Sequence, residues 1–106
     1  FGASAKRGQT MKFAALIEYS KDQALVSAHR PAHRAYLTNL VEKNQLFASG
    51  PTEDNFGALI VYEADTPEAV EALIRADPFH AAGVFLNWTV RPWKVVFFNA
   101  HLAPKG

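Results

Sequence analysis

Lys12-Phe13-Ala14-Ala15-Leu16-Ile17-Glu18-Tyr19 decides the fold. Side chains alternate along a strand, so Phe13, Ala15, Ile17 and Tyr19 fall on one face and Ala14 and Leu16 on the other. Both faces are apolar, and both therefore need cover. Gly57-Ala58-Leu59-Ile60-Val61-Tyr62-Glu63 repeats the pattern, with Ala58, Ile60 and Tyr62 set against Leu59 and Val61. Two such strands belong to a sheet that needs cover on each side.

The rest of the chain supplies the partners. Residues 46–49 read as a short strand followed by a turn, Gly50-Pro51-Thr52-Glu53-Asp54-Asn55. Residues 86–91 read as a fourth strand that Pro92 breaks or bends, with residues 93–99 continuing along an edge. A helix is expected over residues 31–43. Tyr36, Leu37, Leu40 and Val41 follow His33 at the spacing of one helix face. Pro31 suits the first helical turn, and Asn44 is a C-terminal cap. Residues 20–28 then read as a connector with at most one helical turn, which puts His33 at the N-terminal edge of the inward stripe. A second helix begins at the Thr66 cap with Pro67 and Glu68 in its first turn, and turns Val70, Leu73 and Ile74 inward. Pro78 disfavours helical geometry at Asp77, so this helix ends there. Residues 79–83 form a short turn or an extra helical piece. The order is β-α-β-β-α-β, an α+β chain of ferredoxin-like plan: a four-stranded antiparallel sheet with two helices on one face. The other face has no cover within one chain. The expected solution is a homodimer with its sheets face to face.

Bulk composition bounds the function. The chain has 106 residues, enough for one domain, with 49% hydrophobic and 20% charged residues and a net charge of +1. That balance offers no electrostatic footprint for nucleic acid or a membrane surface. Trp88, Trp93, Phe97 and Phe98 therefore read as core and dimer packing rather than a base-stacking platform. Cysteine is absent, which removes disulfides, zinc–thiolate sites and a thiol nucleophile, and a cytoplasmic location is the expectation. No glycine-rich phosphate loop is present, so no nucleotide cofactor is expected. The expected layout is a leader over residues 1–10, a domain over 11–99 and a flexible tail over 100–106.

If the first strand runs up, the start of the first helix, the end of the second strand and the end of the second helix share one end of the domain. His33, Gly50 and Asp77 converge there. A carboxylate beside an imidazole fixes its tautomer, and the pair moves protons to and from a small substrate. The competing reading is structural, with His33 bonded to a backbone carbonyl and Asp77 capping locally. Arg30 is a candidate for orienting an anionic substrate, Ser49 and Gly50 for ligand hydrogen bonds, and Phe79 for shaping the pocket. His29 and His33 have the i, i+4 spacing of a metal pair, but Pro31 lies between them and no third ligand has diagnostic spacing. No metal or other cofactor is expected. Ser49 lacks the G-x-S-x-G surroundings of a nucleophile elbow.

Taken in order, Arg30-Pro31-Ala32-His33, Tyr36-Leu37, Ser49-Gly50-Pro51, Gly57, Asp77-Pro78-Phe79, Gly83-Val84-Phe85 and Arg91-Pro92-Trp93 resemble the YCII-related (YciI-like) family. The likeness runs from Met11 to Phe98, and its specificity lies in the ordered set. It implies a dimeric α+β barrel and a His–Asp pair at His33 and Asp77. Related barrels include muconolactone isomerase-like enzymes and a dehydrochlorinase branch. The implied function is cofactor-free acid–base chemistry, lyase- or isomerase-like, on a small aromatic or lactone substrate. The alternative is a non-catalytic ligand-binding module that uses the same pocket.

Overall fold

The two-faced strands lie side by side at the centre of the sheet. In a computed structural model describing residues 10–104, β1 (Met11–Tyr19) pairs antiparallel with β3 (Gly57–Ala64), Ala15 opposite Ile60 and Leu16 opposite Leu59. β2 (Leu46–Pro51) flanks β3, and β4 (Phe85–Trp93) flanks β1, giving the order β2-β3-β1-β4. With helices α1 (Gln23–Glu42), α2 (Pro67–Ala76) and the single-turn α3 (Pro78–Ala81), the chain has the ferredoxin-like α+β architecture. The expected leader falls almost wholly outside the described residues.

One face of the sheet carries the core. Phe13, Ala15, Ile17, Ala58, Ile60 and Tyr62 are buried there against Val26 and Leu40 of α1 and Val70 and Ile74 of α2. The Tyr36 hydroxyl of α1 donates to the Leu73 carbonyl of α2 at 2.6 Å, tying the two helices together. On the opposite face Leu16 and Leu59 are 44% and 47% exposed. Ala14, Ala48 and Val61 share this face, and the Lys12–Glu63 ion pair (2.7 Å) lies at its rim.

Three expectations need correction. α1 starts at Gln23, so residues 20–28 are not a connector. Asp22 caps the helix, its side chain accepting from the Leu25 N–H at 3.1 Å, and Val26 of that first turn is buried. Pro31 consequently lies two turns inside the helix. It leaves the Ser27 carbonyl without its helical donor, a defect worth about 3 kcal/mol relative to alanine. Packing along Val26, His33 and Leu40 offsets it, and His33 sits mid-helix rather than at an edge. Second, Pro92 does not end β4. It pairs with Phe13 on an edge strand, where a missing N–H is tolerated. Third, regular strand stops at Trp93, and residues 94–99 do not continue it; one 3₁₀ turn, Ala100–Leu102, follows.

Gly57 fixes how β3 enters the sheet. A Cβ built on it would lie 1.8 Å from the Ile17 carbonyl oxygen, a backbone atom of the central strand. Its N–H also bonds the Thr52 hydroxyl at 3.0 Å, closing the β2–β3 turn. Gly57→Ala is therefore expected to cost about 1–3 kcal/mol, as overpacking against a backbone that cannot yield does. A urea midpoint that stays at the wild-type value would contradict this.

Candidate active site

Asp77 is built into the chain break that Pro78 imposes. α2 ends at Ala76, Asp77 turns extended (φ −67°, ψ 134°), and its side chain caps α3. Oδ1 accepts from the Phe79 N–H at 2.9 Å. The carboxylate is fully buried and faces α1, where the His33 Nδ1 lies 2.8 Å from Oδ2 and 2.9 Å from Oδ1. A carboxylate accepts, so the shared proton sits on Nδ1. The ring is held in plane by Phe79, stacked at 4.0 Å and 13°, and by the edge contact of Phe85 at 6.2 Å. Nε2 makes no hydrogen bond among the described residues. The Tyr62 hydroxyl is the one buried side-chain polar atom without a partner among the described residues, so Nε2 is not sealed in. It reaches a cavity of about 340 Å³ that His33 lines.

The cavity lies between α1 and the β2 side of the sheet. Arg30, His33, Ser49, Gly50 and Phe79, all candidates from the sequence, line it, while Asp77 stands behind the imidazole. Tyr19, Arg34 and Thr38 line it too and were missed. With α1 beginning at Gln23, Arg30, His33, Arg34, Leu37, Thr38 and Val41 fall along one face at helical spacing. Of this row only Arg30 lies outside a helix that starts at Pro31; Arg34 and Thr38 sit one position past His33 and Leu37, and their polarity set them apart from the apolar stripe. Tyr19 is the last inward position of β1, a place the alternation marks as core and the end of the strand turns into a rim. His29 shares α1 with His33 and does not precede it, yet no group of three or more metal-ligating side chains occurs among the described residues.

A model of the YCII-related domain matches residues 11–94. The chain belongs to the YCII-related family. It is 36% identical over 78 residues to proteins named YciI from Escherichia coli O6:H1 (strain CFT073) and Shigella flexneri, covering 64% of this chain and 80% of each relative. Among solved structures it resembles a 5-chloro-2-hydroxyhydroquinone dehydrochlorinase (TftG) from Burkholderia phenoliruptrix AC1100, in complex with 2,5-dihydroxybenzoquinone. The TM-score is 0.68 at 28% identity, over 79% of this chain and 94% of that one. In this YCII-related chain, no helix among the described residues is long and apolar enough to cross a membrane.

The site also shapes the behaviour of the tyrosines. Burial, and then the charge of Asp77, push the Tyr19 and Tyr36 phenols up to about 12. Tyr62 is raised further by the same causes in the same order. These are all three tyrosines of the chain. Below pH 10 the phenols are neutral in both folded and unfolded states. Between about pH 10 and about 12 the unfolded chain loses protons that the native state keeps, so stability falls as pH rises through that window. Tyrosinate absorbance at 295 nm is expected to stay low in the native protein until about pH 12 and to appear near pH 10 in urea. A native titration overlaying the unfolded one would contradict the burial of these hydroxyls.

Proposed function

We propose that this chain is a small-molecule enzyme working by acid–base chemistry of the lyase or isomerase type, on a small aromatic or lactone substrate bound in the cavity beside His33. The observation that supports it most is the imidazole itself. One nitrogen is fixed by a buried carboxylate and the other is open to a cavity of substrate size. Nε2 takes a proton from the substrate while Asp77 holds Nδ1–H and stabilises the imidazolium that forms, or the same steps run in reverse. In an elimination the electron pair of the broken C–H bond expels the leaving group. The likeness to a dehydrochlorinase supports this reaction class, and proton transfer by His33 calls for no cofactor.

The test is turnover in D₂O on a panel of hydroxyquinones, halogenated phenols and lactones, followed by NMR. His33→Gln is expected to lower elimination or proton exchange by about 10²–10⁴-fold, the usual share of a general base. Asp77→Asn retains a capping side chain, so α3 persists while the tautomer is lost; melting is expected to report about 1–3 kcal/mol of destabilisation. Turnover that survives in His33→Gln would leave the cavity as a binding site only.

The functional unit in this reading is a homodimer with the two open sheet faces stacked. The strip formed by Leu16, Leu59, Val61, Ala14 and Ala48 supports it, since such a face is a liability in water and a core when paired. Leu16→Glu puts a charge in the middle of the strip without touching the helix-side core. Sedimentation at micromolar concentration is expected to give a dimer for the native chain and a monomer for Leu16→Glu; a native monomer would overturn the arrangement.

A further inference from the structure

The cavity lining carries positive charge and, among the described residues, no carboxylate. Arg30 and Arg34 both line it, one helical turn apart on α1. Neither forms an ion pair among the described residues, and no carboxylate is part of the lining, Asp77 being covered by the imidazole. Tyr19 lines the same space. Its side chain is buried, yet its hydroxyl has no hydrogen-bond partner among the described residues and is not an enclosed atom, so it is accessible at the rim that Tyr19 gives the cavity. Leu37, Val41, Leu46 and Ile60 give the cavity apolar walls, and Thr38 and Ser49 add uncharged hydroxyls. An apolar body with a charged end matches this lining: aliphatic side chains for the body, guanidiniums and a phenol for the end.

We infer that the cavity takes a small organic oxyanion, whose negative oxygen is held by Arg30, Arg34 and the Tyr19 hydroxyl while its reacting atom faces His33 Nε2. The inference rests on the reading of this cavity as the substrate site and narrows the substrate class within it. Both guanidiniums draw the Tyr19 phenol downward, yet burial and Asp77 outweigh them, so the phenol remains protonated and donates at neutral pH. The assignment of labour is then spatial. Arginines and tyrosine hold charge, and histidine moves the proton.

The experiment compares 2,5-dihydroxybenzoquinone, an acid that is anionic at neutral pH, with 2,5-dimethoxybenzoquinone, which has the same ring and no acidic proton. Calorimetric titration of the native protein is expected to show the acid binding at least about tenfold more tightly, with an advantage that shrinks as salt is added. The double variant Arg30→Gln/Arg34→Gln is expected to erase the advantage, weakening the acid about tenfold more than the ether. Tyr19→Phe is expected to reduce it by about threefold or more. His33→Gln is expected to keep it. Both arginines are at the surface of α1, and matching melting curves verify that the double variant is folded. Equal binding of acid and ether, an advantage that survives in the double variant, or no binding of either compound would overturn the inference. The two readings separate cleanly: loss of turnover in His33→Gln without any acid preference sinks the anion assignment alone. An arginine-dependent preference with turnover intact in His33→Gln sinks proton transfer alone.

Discussion

The contact between the Asp77 carboxylate and the His33 ring governs the arrangement of everything near it. A carboxylate with no exposed surface is strongly disfavoured unless its oxygens are occupied. Here Oδ1 receives the Phe79 N–H, and both oxygens face the imidazole Nδ1. The backbone bond requires the cap geometry that Pro78 enforces, and the ring requires α1 at a fixed height over α3. Phe79 serves twice, supplying the N–H and the flat surface under the histidine. Moving any of these elements would leave a buried charge without partners, so one interaction fixes the relation of three helices. The Tyr36–Leu73 bond holds the same helices from the other side.

Much of this was legible in the residues. The alternation in β1 and β3 marked two strands and their two apolar faces, and the Thr66-Pro67-Glu68 and Asp77-Pro78 signals bounded α2 almost to the residue. Those signals are local, and sequence patterns report local physics well. The start of α1 was lost because Pro31 is a stronger local signal than Asp22, while the deciding contribution, burial of Val26 under the sheet, is tertiary. Arg34 lies inside the expected helix, one position past His33, and its polarity alone gave no sign of a cavity. His33, read as a rim residue, turned out to be central, yet its face was right, and the face is what brings it to Asp77. Tyr19 was read as core and is core for its ring. Only the cavity beside it shows that its hydroxyl is available.

The rigid part of the site and the adjustable part differ in kind. Histidine and aspartate are enclosed by aromatic rings, with Tyr19, Phe79 and Phe85 in mutual contact at centroid distances of 5.3 to 5.9 Å. Ser49 and Gly50 belong to an exposed edge strand whose register already slips by one residue between Leu46 and Ala48. A site divided this way holds the imidazole and the carboxylate at a fixed distance and leaves the opposite wall on the less regular edge strand.

Pro31 gives α1 a mechanical character that the other helices lack. An intact helix resists bending because every turn is laced to the next. Here one lace is missing, the one from position 31 to the Ser27 carbonyl, so the unlaced turn holds Arg30 and ends before Arg34. The helix is in effect a jointed rod. Its far half is anchored through His33, Tyr36 and Leu40, while its near half hangs from Val26 and the Asp22 cap. Arg30 therefore stands at the softest point of the longest helix among the described residues, and Arg34 one turn beyond it on the laced half. A rigid rod carries a displacement of one end straight to the other; a jointed one lets each half settle on its own packing.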